Sequence, residues 1–265
     1  MPPADNSGKT VWQKKNEVIK VDIGSYTDIG KVRQVNEDDY YVSDYVTDLE
    51  AIYAMVADGM GGHLGGEVAS STAIHVACDY IEANFDREKG QKGIKELLKN
   101  AVMYANNAVF SKAGTNDKLK GMGTTLTMCF ILGKKLTAAH IGDSRMYLLR
   151  DGKIKKLTRD HSLVSELVES GSITELEAKK HPHKNVITRA VGASAEIKAD
   201  IFETELKEGD KILLCSDGLS NEITDKTILK TVNDAPCAMA AAQSLVFSAL
   251  DNGVKDNITV IVLKI

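Results

Sequence analysis

Cysteine is scarce in this chain, and what there is stands alone: Cys78, Cys129, Cys215 and Cys237 form no Cys-x-x-Cys pair and no short-range spacing. This argues against a disulfide framework and a thiolate zinc site, and reads as buried thiols in a reducing compartment. Histidine is also thin, six residues with only His181 and His183 close together, which makes zinc improbable from that side too. No apolar run reaches the ~18 residues that a membrane-spanning helix needs, and Met1 to Lys15 is polar with no signal-peptide core. A soluble cytoplasmic protein with no membrane partner is expected. A basic excess is missing as well. The formal net charge of -4 leaves no footprint for nucleic acid, so a phosphate-bearing substrate must meet local positive charge, for which metal ions are an economical source.

Against those absences the composition is that of an ordinary folded protein. With 43% hydrophobic and 26% charged residues, 265 residues suffice for one large core. No linker and no repeat of solenoid period interrupts the chain. Residues 1–17 are polar and aperiodic apart from Val11 and Trp12, and read as a loose segment ahead of a single domain over 18–265.

Strand patterns run over Ile19 to Tyr26, Tyr40 to Ser43, Ala51 to Asp58, Thr125 to Leu132, Leu136 to Ile141, Met146 to Leu149, Ile197 to Glu205, Lys211 to Ser216 and Ile258 to Ile265. Asp44 to Glu50 reads as a hairpin loop, and Asp151-Gly152 as a two-residue hairpin turn. Apolar residues fall at helical spacing from Val68 to Ile81, from Ile94 to Val109 and from Met239 to Leu250. Shorter helices are expected over Ser162 to Ser170 and Thr174 to Lys180, the second with a capping box between Thr174 and Glu177. Helices arriving in blocks, not alternating with strands, imply antiparallel sheets and an α+β layered architecture. The least regular stretch, within about 165–199, reads as a flap over a site.

Carboxylates recur where apolar strands end. Asp58 follows the run Ile52 to Ala57 and precedes Gly59, Gly61, Gly62, Gly65 and Gly66, so a carboxylate sits beside bare backbone that a cation or phosphate can approach. A dinucleotide fingerprint would need glycine where Leu64 stands, whereas a tight turn with no chemistry would use the same glycines. Asp143 in Gly142-Asp143-Ser144-Arg145 and Asp217 in Ser216-Asp217-Gly218 repeat the arrangement, and Asp256 launches the last strand. In Glu37-Asp38-Asp39, strand alternation sets Asp38 opposite its neighbours, so at least one of them points inward, unless the three form a solvated acidic patch. Convergent carboxylates cannot be buried as bare anions; they shift their pKa values or hold cations. An all-oxygen set favours Mg²⁺ or Mn²⁺ over zinc, and two such ions roughly 3.5 to 4 Å apart acidify a bridging water and neutralise phosphate oxygens. The reaction class that follows is metal-assisted hydrolysis of a phosphate ester. Rival nucleophiles are poorly supported: Asn221 stands where a cysteine phosphatase loop built on Cys215 would place arginine, and Ser144 lacks a Gly-x-Ser-x-Gly elbow.

The ordered series Arg33-x-x-Asn36-Glu37-Asp38, Ala57-Asp58-Gly59-Met60-Gly61-Gly62-His63, Gly121-Met122-Gly123-Thr124-Thr125, Gly142-Asp143-Ser144-Arg145, Asp160-His161-Ser162, Ser216-Asp217-Gly218-Leu219 and Asp256-Asn257-Ile258-Thr259 resembles the motifs of the type 2C (PPM) protein serine/threonine phosphatases. It covers about residues 20–265, and Asn185 to Gly192 resembles the flap region of the compact bacterial members. The resemblance implies a four-layer α-β-β-α sandwich, two antiparallel sheets flanked by helix pairs, with a dinuclear centre in the cleft between the sheets. By similarity Asp58 bridges two Mn²⁺ or Mg²⁺ ions, the Gly59 carbonyl binds one and Asp217 and Asp256 hold the other. Glu37 and Asp38 act directly or through water, and Asp143 with Asp217 resembles the pair that holds a third ion in bacterial relatives. Arg33 grips the substrate phosphate, and His63 is the general acid for the departing alkoxide. The implied reaction is a one-step in-line attack by metal-bridging hydroxide with no phosphoenzyme. Its partners are phosphorylated proteins, with a cognate serine/threonine kinase and its substrates, met by a monomer. His161 and Arg189 are read as structural or flap residues. A regulatory module that binds phosphoproteins without turnover is the rival reading, favoured by loss of Asp58, Asp217 or Asp256, none of which is lost. Phosphodiester cleavage would call for a basic stripe.

Overall fold

The computed structural model describes residues 21–43, 51–61 and 64–265. The segment 1–17, the first residues of the strand expected from Ile19, the loop 44–50 and His63 lie outside the described residues. In chain order the elements are β1 (Asp22–Asp28), β2 (Asp38–Val42), β3 (Ala51–Met60), α1 (Gly65–Asn84), α2 (Gly90–Ala113), β4 (Gly123–Thr124), β5 (Leu126–Leu132), β6 (Lys135–Ile141), β7 (Arg145–Arg150), β8 (Lys153–Lys156), α3 (Leu163–Glu169), α4 (Glu175–Lys180), β9 (Asp200–Glu205), β10 (Lys211–Cys215), α5 (Asp217–Ser220), α6 (Asp225–Asp234), α7 (Ala238–Asp251) and β11 (Ile258–Lys264). None of the described helices is long and apolar enough to cross a membrane.

One sheet runs β1-β11-β10-β7-β8, and the other β2-β3-β5-β6-β9 with β4 beside β3. Every pairing between named strands is antiparallel. The period-2 alternation of a strand then divides its side chains between two cores. Tyr53, Met55 and Ala57 of β3 face α1 and α2, whereas Ala54 and Val56 face the opposite sheet. In β10, Leu213 and Cys215 face the α6 and α7 layer, and Ile212 and Leu214 enter the space between the sheets. Three apolar layers therefore separate four layers of structure, the α-β-β-α sandwich that the resemblance implied. Burial on both faces also explains why β3 and β10 read as continuous apolar runs instead of alternating ones.

Local chemistry closes the connections. Asp151 and Gly152 both have positive φ (51° and 69°), the conformation of a two-residue hairpin loop that twists with its strands. Ser162 and Thr174 cap α3 and α4, the latter in a complete capping box. Some expectations are corrected. The stretch read as one strand from Thr125 is preceded by β4, which pairs with the end of β3. The strand expected from Ile197 begins at Asp200. The helix α6, absent from the sequence reading, completes the pair with α7 on the first sheet, while α3 and α4 contribute no buried residue.

Candidate metal centre

The antiparallel pairing gathers the carboxylates. Because β2 runs against β3, the first residue of β2, Asp38, lies in register with Asp58 near the end of β3. Because β10 runs against β11, with Cys215 opposite Val260, Asp217 just after β10 meets Asp256 just before β11. Asp143 sits in the turn that carries the chain from β6 in one sheet to β7 in the other, and Arg145 is in register with Cys215. Five aspartates distant in sequence thus share one end of the sandwich.

Their titration records that proximity. Burial pushes Asp58 well above the ordinary carboxylate range, and Asp38, Asp217, Asp143 and Asp256 push it further. Burial likewise raises Asp38 to about 7, Asp143 to about 8 and Asp217 to about 6. Asp58, Asp143 and Asp217 are recessed but not sealed, each only partly buried, so the cluster is a cleft open at one side. Glu37 is raised by burial, against the pull of Arg33. Arg33 stands at the mouth with 46% of its side chain exposed, bonded to Asp256 at 2.9 and 3.0 Å and 3.6 Å from Glu37.

Several polar side chains to which the sequence reading gave no role hold this cleft in shape. Ser216 donates its hydroxyl to Asp38 Oδ2 at 2.7 Å while accepting the Thr259 amide at 2.9 Å, which ties β2 of one sheet to β10 and β11 of the other. Asn257 accepts the Glu37 amide at 2.8 Å and donates to the carbonyls of Ile29 and Val35. Thr125 accepts the Asp58 amide at 2.9 Å and lies 2.7 Å from Ser144 Oγ. Each lies within one of the motifs, yet a serine, asparagine or threonine at a strand end reads from sequence as ordinary turn chemistry. His161, expected to be structural, accepts the Gly142 amide at Nδ1 and donates its own amide to the Gly142 carbonyl, so it anchors the turn that carries Asp143.

Glycine is required where backbones meet. A Cβ on Gly59 would lie 2.1 Å from the Gly66 carbonyl oxygen and 2.6 Å from that of Glu37, so the start of α1 can approach β3 only without a side chain there. At Gly142 (φ 111°) a Cβ would lie 2.5 Å from Thr125.

The donor set suits hard cations: it is all oxygen. Among the described residues, two buried side-chain oxygens have no hydrogen-bond partner, Asp38 Oδ1 and Asp143 Oδ1, and both belong to this cleft. Also among the described residues, no three His, Cys, Asp or Glu side chains are already drawn around one coordination point; the carboxylates face a common space without closing on it. A cavity of about 150 Å³ lined by Tyr80, Phe85, Ile94 and Leu97 lies near the far end of α1, away from the cleft. Arg33, Glu37, Asp38, Asp58, Gly59, Asp143, Asp217 and Asp256 are thus brought to one place, whereas His63 is outside the described residues.

A family model described as protein phosphatase 2C matches residues 31–252. Serine/threonine protein phosphatase PstP of Mycobacterium tuberculosis is 39% identical over 236 residues, which cover 89% of this chain but 43% of the relative, so the chain spans less than half of that protein's length. Protein phosphatase PhpP of Streptococcus pneumoniae is 37% identical over 242 residues, covering 91% of this chain and 96% of the relative. A crystal structure of the catalytic domain of PstP in complex with two manganese ions superposes with a TM-score of 0.80 at 36% identity, over 92% of this chain and 97% of that one.

Proposed function

This chain belongs to the protein phosphatase 2C family, and on that premise we propose that it is a metal-dependent phosphatase of phosphoserine and phosphothreonine in proteins. The observation that carries the reading is the meeting of five aspartates at one end of the sandwich, two of them with buried oxygens that lack a partner. Asp58, the Gly59 carbonyl, Asp217 and Asp256 are the ligands proposed for two Mn²⁺ or Mg²⁺ ions, with Glu37 and Asp38 directly or through water, and Asp143 with Asp217 for a third. When bound, such ions lower the pKa of a water and neutralise phosphate oxygens.

The chain's own groups supply the rest. Arg33 offers a planar fork at the cleft mouth; a phosphate dianion competes with Asp256 and Glu37 for it and binds in bidentate fashion. Ser216, itself held by the Thr259 amide, orients Asp38. His63 is proposed to protonate the departing alkoxide, which its near-neutral pKa class allows. The stretch 165–199 is proposed as a flap: Val191 bridges to Thr124 beside the end of β3, which carries Asp58, and Gly192 donates to Asn106 of α2. Phosphorylated proteins, including a cognate kinase and its substrates, are the proposed partners of a cytoplasmic monomer.

The test is release of phosphate from a phosphothreonine peptide with Mn²⁺. Chelator should abolish it, Asp217→Ala should lower it by about a hundredfold or more, and Cys215→Ala should retain it. Turnover that persists without divalent metal, or that survives Asp217→Ala, rejects the reading.

A further inference from the structure

Behind the carboxylates stands a guanidinium with no task in that reaction. Arg145 opens β7, two residues after Asp143, and its register partner Cys215 precedes Asp217 by two. Only 24% of its side chain is exposed. Its Nε donates to both oxygens of Asp160, at 3.2 and 3.1 Å, and Nη2 donates to Oδ2 at 2.7 Å. Nη1 reaches the Tyr147 hydroxyl at 3.3 Å, and Lys156 Nζ donates to Asp160 Oδ1 at 3.2 Å. Asp160 itself is 12% exposed at the side chain, so this pair is held in a medium that screens it poorly.

A fixed cation in this place competes with cations in the cleft. Along the chain Asp143 is two residues from it, and through its register with Cys215 so is Asp217. Freed from Asp160, the guanidinium would have those carboxylates as alternative partners, and an intramolecular pair would have to be broken whenever an ion entered. We propose that Asp160 is a positioning residue that withholds Arg145 from Asp143 and Asp217 and so keeps the cleft open to divalent cations. Two parallel bonds fix the plane of the guanidinium and make the withholding geometric as well as electrostatic. The inference rests on the metal reading of the cleft. A purely structural ion pair would behave differently: breaking it would lower the unfolding midpoint, which deleting the second partner also mends, but would leave the Mn²⁺ dissociation constant of the folded protein unchanged.

The experiment is calorimetric titration of the metal-free protein with MnCl₂ at fixed pH and salt, with thermal unfolding recorded for each variant. Asp160→Asn should raise the Mn²⁺ dissociation constant about tenfold. Adding Arg145→Gln to that variant should bring it back to within about threefold of the unaltered protein. Arg145→Gln alone, which leaves the Asp160 charge near the cleft, should tighten binding, and this arm decides the matter if Asp160→Asn fails to fold. Unaltered affinity in Asp160→Asn, a double variant as weak as Asp160→Asn, or unchanged or weaker binding in Arg145→Gln overturns the inference alone. No Mn²⁺ binding by the unaltered protein overturns the metal reading with it.

Discussion

Ser216 shows how much a single hydroxyl can carry. It is fully buried, its oxygen receives the Thr259 amide, and its proton goes to Asp38, so one side chain links the two sheets at the carboxylate cleft. Removing it leaves Asp38 free to turn and a backbone amide without a partner. Ser216→Ala should therefore weaken Mn²⁺ binding about 10- to 100-fold, the range for loss of a group that orients a metal ligand, while phosphate release at saturating Mn²⁺ falls less; dissociation constants from calorimetry beside the metal dependence of turnover check this. At this scale the sequence was readable where a residue type is rare in its setting. An aspartate directly after an apolar strand and before glycine announces itself, as at Asp58 and Asp217. Ser216, Asn257 and Thr259 do not, because small polar residues are common at strand ends and their partners lie up to 232 positions away. Asp160 was visible within its motif, but its hold on Arg145 could not be read from letters.

Among the elements, α2 (Gly90–Ala113) is the clearest: Ile94, Leu97, Leu98, Ala101, Val102, Ala105 and Val109 form the buried stripe that periodicity anticipated. Leu98 is fully buried in the core between α1, α2 and the second sheet. Leu98→Ala should cost about 3 kcal/mol and lower the unfolding midpoint by roughly 6 to 12 °C in calorimetry, with Mn²⁺ binding unchanged because the cleft lies at another face of the layer. The helix α6 was missed for the opposite reason. Ile228, Leu229 and Val232 do fall at helical spacing, but the ten residues of α6 are fewer than the roughly eleven or more over which that period is read, and only Ile228 and Val232 are buried. Its start is nevertheless marked by Thr224, whose hydroxyl accepts the Thr227 amide. The two-residue β4 is too short to show any period, and it exists because Gly123 and Thr124 meet the end of β3.

For the whole molecule, the consequence is a stability that runs against the usual pH trend when no metal is bound. Asp38, Asp143, Asp217 and Asp58 hold their protons to higher pH folded than unfolded. A group raised in this way stabilises the fold below its unfolded pKa and loses that contribution as pH climbs through the folded one. His140, lowered to about 4, and His161, also lowered by burial, act in the opposite sense, but both are neutral folded and unfolded above about pH 7. Between about pH 7 and 8.5 the metal-free protein should therefore melt at progressively lower temperature, and saturating Mn²⁺ should flatten or reverse that slope; a midpoint that rises with pH without metal would contradict the buried carboxylate cluster. The amino-acid order by itself determined the longer strands, the three long helices, the antiparallel class and the list of acids, because hydrogen-bond period, alternation of burial and capping act over a few residues. Only the tertiary structure decided that Asp38 faces Asp58, that Asp217 meets Asp256, and that Asp160 takes Arg145. Those meetings depend on which distant strands pair and in what register, and that is settled by burying both faces of two sheets at once.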